Sequence, residues 1–240
     1  CLPRTTKAAN AAPSGRRADR RIALRTALAF AAAVLVAAAT APAFSVDAPT
    51  YAAAMAEFGR ARTGDEAAID AAADKLTALS AAEPTDPVLR AYAGSATTMR
   101  ASTTMLPWKK MGHAEDGLAL LDKALAQLTP AHDAPLYRGV PASLETRYTA
   151  ATTFLALPAM FNRRVRGQKL LDEVAKSPLL EGAPLPFKGT VWLSAGHQAL
   201  KADDLAAARE WFGKVSASGA PQAAEAQAKF HALDEEAARI

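Results

Sequence analysis

From residue 44 onward, apolar residues return at every third or fourth position, and that spacing admits helices and little else. Leu89, Tyr92, Ala96 and Met99 step by 3, 4 and 3, as do Leu118, Leu121, Leu125 and Leu128; Leu144, Tyr148, Ala151 and Leu155 step by 4, 3 and 4. Each series lays an apolar stripe along one face of a helix. A half-buried strand would alternate apolar and polar residues, and no run of useful length does so. Pro84 and Pro87, Pro107, Pro130 and Pro141, Pro158, Pro178 to Pro186 and Pro221 stand where one amphipathic run stops and the next begins. The pattern predicts an all-α domain over residues 44–240, made of short helices paired as antiparallel hairpins.

A short phrase recurs in the second helix of successive predicted hairpins: Asp74-Lys75-Leu76, Leu121-Asp122-Lys123-Ala124, Leu171-Asp172-Glu173-Val174 and Phe212-Gly213-Lys214-Val215. With Ala73, Leu121, Leu171 and Phe212 as equivalents, the spacings are 48, 50 and 41 residues. Such periods predict helix-turn-helix units stacked side by side, each too small to bury its apolar face alone. In the last unit, Trp192, Gly196, Ala208 and Phe212 have the spacing of a tetratricopeptide repeat, with Pro221 one place beyond the usual closing proline. That unit resembles the family, although Ala199 stands where the family prefers an aromatic. The resemblance implies a TPR-like α-solenoid in which Gly196 and Ala208 let two helices approach closely while Trp192 and Phe212 fill the space beside them. Stretches such as Gly94-Ser95-Ala96, residues 106–111 and residues 157–164 are also similar to uncharacterised bacterial exported proteins with repeat-like helices, a likeness that implies fold and compartment but no chemistry.

Residues 1–43 read as a leader. They hold seven of the 28 Lys and Arg but only one of the 24 Asp and Glu, and their basic start is followed by an apolar run over residues 27–39. Thr40-Ala41-Pro42-Ala43 then supplies small residues where a signal peptidase reads them. The expectation is a secretory signal peptide cut after Ala43 and a periplasmic or secreted location. The alternative is an uncleaved membrane anchor, the one case in which a membrane partner is expected. Arg20-Arg21 is a weak twin-arginine signal. Without the leader, 21 cations face 23 anions, so the overall basic balance gives no argument for a nucleic-acid partner. The one cysteine, Cys1, lies in the leader, which excludes disulfides and cysteine chemistry from residues 44–240.

Catalytic motifs fail. His113, His132, His197 and His231 are far apart, with none at the i, i+4 spacing that would set two imidazoles toward a metal. No nucleophile elbow, phosphate loop or dinucleotide glycine motif is present. Asp203-Asp204 reads as a helix cap and Asp234-Glu235-Glu236 as a solvated tail. No cofactor, metal or catalysis is expected.

One constellation remains. In stacked hairpins the turns between first and second helices fall along one edge, which would bring Trp108, Lys109 and Lys110 together with Asn162, Arg163, Arg164 and Arg166. Such a basic edge could seat an acidic protein segment or an anionic envelope component through guanidinium forks and a stacking indole. The competing reading is that these charges solvate loops, that Arg163 to Arg166 start a helix, and that Trp108 caps the core. A cationic first turn opposes the helix dipole, which favours a role beyond stability. The sequence thus predicts an exported protein- or peptide-binding module of the cell envelope. A small-ligand carrier or enzyme accessory with a pocket between hairpins is the alternative.

Overall fold

A computed structural model of the chain describes residues 46–237, which belong to the compact unit Phe44–Ile240. The expected leader, its cleavage point and the anchor alternative lie outside the described residues. Nine α-helices are described: α1 (Ala48–Arg62), α2 (Glu66–Ala82), α3 (Pro87–Thr103), α4 (Pro107–Ala126), α5 (Ala142–Ala156), α6 (Arg164–Ala175), α7 (Leu185–Lys201), α8 (Leu205–Ser216) and α9 (Ala223–Ala237). The described residues form no strand, and the expected all-α class holds.

Start signals in the sequence do what their chemistry requires. Asp47, Asp65, Asp86 and Asp204 precede α1, α2, α3 and α8, and each side chain accepts a backbone N–H of the first turn, at 2.7 Å from Thr50, 3.1 Å from Ala68, 3.0 Å from Leu89 and 3.0 Å from Ala207. Asp204 thus has the capping role read for the Asp203-Asp204 pair. Pro87 and Pro107 open α3 and α4, where a missing N–H costs nothing.

Neighbouring helices in the chain pack on one another through most of the domain, and α3 also packs against α5, skipping one helix. The recurring phrase marks the buried turn of each second helix. Ala73, Leu121, Leu171 and Phe212 are buried, as are Leu76, Ala124, Val174 and Val215 three places on. The charged residues between them face solvent wholly or in part. Two apolar clusters carry most of the core, one joining α1, α2 and α3 and the other joining α4, α5, α6 and α7; a smaller one holds α7, α8 and α9 together.

Glycine sets how closely two of these pairs approach. A Cβ on Gly117 of α4 would stand 2.5 Å from the Gly94 carbonyl oxygen of α3 and 2.5 Å from Thr98 Cγ2, so the backbones themselves are in contact there. In the last hairpin a Cβ on Gly196 would meet the Phe212 ring at 2.6 Å, while Ala208 and Phe212 are wholly buried. The close approach expected at Gly196 and Ala208 is therefore present.

The α3–α4 crossing yields a paired prediction. Gly117→Ala must push two backbones apart and lowers unfolding free energy by about 1–3 kcal/mol. Gly112→Ala, in the same helix but with nothing within 4 Å of the added methyl, raises it by about 0.5–1 kcal/mol. Urea unfolding of the two variants checks both signs.

Candidate functional site

Residues 129–142, between α4 and α5, form a strap rather than a loose loop. It carries a 3-10 turn (Pro130–Asp133) and an isolated bridge between Pro135 and Pro141. Ser143 donates to Asp133 at 2.6 Å. Tyr137 stacks flat on Tyr51 of α1, with ring centroids 3.9 Å apart and planes 5° apart, and donates its hydroxyl to Asp86, the cap of α3.

Beneath this strap lies Glu145, wholly buried in the first turn of α5. Its Oε1 accepts from Tyr92 of α3 at 2.7 Å, from Tyr51 of α1 at 3.2 Å and from the Arg138 guanidinium of the strap. Arg138 also donates to the Tyr92 hydroxyl at 2.8 Å. Glu145 Oε2 is buried without a hydrogen-bond partner. Burial pushes the Tyr51 and Tyr92 phenols far above their ordinary pKa, and the neighbouring Glu145 pushes the same way, so both stay protonated and donate. For Arg138, burial alone would lower the pKa, but the surrounding Tyr92 and Glu145 raise it on balance. No sequence argument had singled these residues out. The readable signal was that α5 carries only two charged residues, Glu145 and Arg147, in a helix otherwise apolar or hydroxylated.

Arg138 has a second face. Its side chain is half exposed and lines a large groove of about 1240 Å³. Alternate helices contribute to that groove: Phe58 and Arg62 from α1, Met99 from α3, Thr152 from α5 and Phe187 from α7. The start of α4 adds Lys110 and Met111. Its charged lining consists of Arg62, Lys110 and Arg138, with no Asp or Glu. Among the described residues Arg62 and Lys110 form no ion pair. Arg62 comes near enough to Tyr148 for its charge to oppose the upward pKa shift that burial imposes on that phenol.

Hydroxyls give the groove a second character. Thr98 donates to the Ser95 carbonyl at 2.7 Å, Thr149 to Glu145 at 2.8 Å, Thr152 to Tyr148 at 3.1 Å and Thr153 to Thr149 at 2.8 Å. Each proton is taken by the helix's own backbone, which leaves the hydroxyl oxygen as an acceptor. The groove therefore combines apolar side chains, oxygen acceptors and cations, of which Arg62 and Lys110 form no ion pair among the described residues.

The residues singled out from sequence divide into two groups. Arg163 and Arg166 both pair with Asp122 of α4, the former at 2.9 Å, and both guanidiniums lie over the buried Phe154 ring, at 5.4 and 5.3 Å from its centroid. Asp122 thereby supplies the negative charge that the cationic first turn of α6 lacks in its own sequence. Asn162 ends a 3-10 turn (Ala159–Phe161) in the left-handed region at φ 53°, a conformation asparagine tolerates well. Trp108, Lys109, Lys110 and Arg164 are exposed, and Trp108 makes no ring contact among the described residues, so it does not cap the core. The two clusters are spread out: fourteen positions of α4 separate Trp108 from Asp122, about 21 Å along the helix axis. Both still border the groove, since Lys110 and Met111 on one side and Met160 and Phe161 on the other line it.

His197 packs edge-on against Phe212 and lies 3.7 Å from Glu225. Burial lowers its pKa below 6.5, with Glu225 pulling weakly the other way. His197 borders a small depression of about 200 Å³ whose lining includes no carboxylate. Among the described residues no cluster of three or more His, Cys, Asp and Glu is arranged to hold a metal, and no helix is long and apolar enough to cross a membrane. No family model matches the chain, nor does any curated protein or solved structure.

The Glu145 cluster predicts an asymmetric response. Arg138→Ala leaves a buried carboxylate without its cation and lowers stability by about 3 kcal/mol, while adding Glu145→Gln to that variant recovers part of the loss because a neutral amide needs no counter-charge. Thermal unfolding of the single and double variants measures both effects.

Proposed function

We propose that this chain is an exported, non-catalytic interaction module, its hairpins stacked in the manner of tetratricopeptide repeats, which holds an extended acidic peptide segment of a partner protein in its groove. The carrying observation is the groove lining, which has three cations, no carboxylate and a row of hydroxyl acceptors. Acceptors suit the unpaired N–H groups of an extended backbone, and cations suit acidic side chains along it. Methionine and phenylalanine between them supply adaptable apolar contact. At about 1240 Å³ the groove exceeds the range of roughly 300–1,000 Å³ usual for small-molecule pockets, which favours a peptide over the small-ligand alternative. The hairpin-array reading is supported by the regular burial of the recurring phrase and by the packing of α3 on α5. The cell-envelope location rests on the basic and apolar pattern of residues 1–43.

A peptide array of extended sequences of graded Asp and Glu content, probed with the chain, tests the reading. Binding is expected to rise with acidic content and to weaken with salt, and Arg62→Glu is expected to weaken it about ten-fold or more without loss of helicity. Selection of neutral or basic peptides, or indifference to Arg62→Glu, would contradict it.

A further inference from the structure

Exposed apolar side chains are concentrated in two segments of the chain. Of the seven large apolar residues exposed among the described residues, five lie in two short segments: Met105, Leu106 and Trp108 from the α3–α4 turn into the first turn of α4, and Met160 and Val165 from the α5–α6 turn into the first turn of α6. The exposures are high, at 87% for Met105, 68% for Trp108, 66% for Met160 and 79% for Val165. Scattered single residues of this kind need no explanation, but a cluster does.

The same segments are free of negative charge. Residues 104–114 and 156–171 contain no Asp or Glu and carry Lys109, Lys110, Arg163, Arg164, Arg166 and Lys169. Asp122 engages Arg163 and Arg166, and Lys169 lies 4.0 Å from Glu173. Lys109, Lys110 and Arg164 form no ion pair among the described residues. Since residues 44–240 as a whole carry 21 cations against 23 anions, this local excess is not a reflection of composition.

We infer that these two segments form a docking edge for an anionic lipid surface. The apolar groups sit at chain turns and protrude, whereas a folded protein partner would need a matching pocket for each one. A lipid interface needs no such match: methionine, valine and leucine enter the acyl boundary, tryptophan rests at headgroup level, and the adjoining cations meet the headgroup phosphates. The separation of Trp108 from the Arg163 cluster, about 21 Å along α4, fits an extended planar partner better than a point-like anion. Lys110 and Met160 also line the groove, but Met105, Leu106, Trp108, Lys109, Arg164 and Val165 do not, so the inference stands or falls apart from the peptide reading.

The test uses residues 44–240, a compact unit that contains all the core clusters, so that the apolar run of the leader adds no membrane affinity of its own. Sedimentation with vesicles of phosphatidylcholine alone is compared with sedimentation with equimolar phosphatidylcholine and phosphatidylglycerol. Binding is expected only to the anionic vesicles, with a blue shift of tryptophan emission that is absent in Trp108→Ser. Lys109→Glu with Arg164→Glu is expected to weaken binding at least about 25-fold, from roughly five-fold per cation. Circular dichroism establishes that these surface variants keep their helices, and retention of acidic-peptide binding by them separates this edge from the groove. Equal binding to both vesicle types, no binding, or binding unchanged in the variants would overturn the inference.

Discussion

The architecture between α1 and α5 turns on one carboxyl oxygen. Glu145 Oε1 gathers donors from α1 and α3, 94 and 53 residues away, and from the adjoining strap between α4 and α5, so four segments meet at a single acceptor. A buried carboxyl is costly unless charge and hydrogen bonds compensate it, and here the cation comes from the strap rather than from any helix. The strap therefore contributes the counter-charge for a carboxyl that α1 and α3 also bond. Tyr137 reinforces the arrangement by stacking on Tyr51 and bonding to the α3 cap. Because Arg138 also lines the groove, the strap that covers Glu145 also faces the groove.

Packing constraints elsewhere shape the same groove. The Gly94–Gly117 contact draws α4 against α3 closely enough for the start of α4, with Lys110 and Met111, to reach the groove. Between α3 and α5, the Thr153 and Ser95 hydroxyls share a hydrogen bond at 2.8 Å that ties the two helices at the groove floor. On the outer side, Asp122 holds the start of α6 against α4 through two guanidiniums that also cover Phe154. Cations divide accordingly into those used by the fold and those left over. The leftover ones, Arg62 and Lys110 in the groove and Lys109 and Arg164 on its border, carry the functional proposals.

Much of the fold was legible because helical period, capping aspartates and proline punctuation are local signals. The recurring phrase marked the buried turn of each second helix, and Gly196 with Phe212 marked a close crossing. The candidate site was less legible because it depends on tertiary contacts. Sequence grouped Arg163 and Arg166 with Arg164 as equivalent surface charges, whereas Asp122, 41 and 44 residues away, pairs with the first two and leaves the third free of such a partner among the described residues. Trp108 after Pro107 could be read as core or surface from sequence alone, and its neighbours decided for the surface. Glu145 escaped notice for the opposite reason: glutamate in a helix is ordinarily solvated, and only the arrival of Tyr51 and Tyr92 from distant positions, with Arg138 from the adjoining strap, makes its burial tolerable.

Amide hydrogen exchange on Glu145→Ala, set beside the native chain, tests most directly whether this carboxyl joins the hairpins. The account predicts that α1 and residues 129–142 lose protection together while α7, α8 and α9 keep theirs, since the lost bonds all lie on the α1, α3 and strap side. Loss confined to α5, or an equal loss across every helix, would contradict a hub at Glu145.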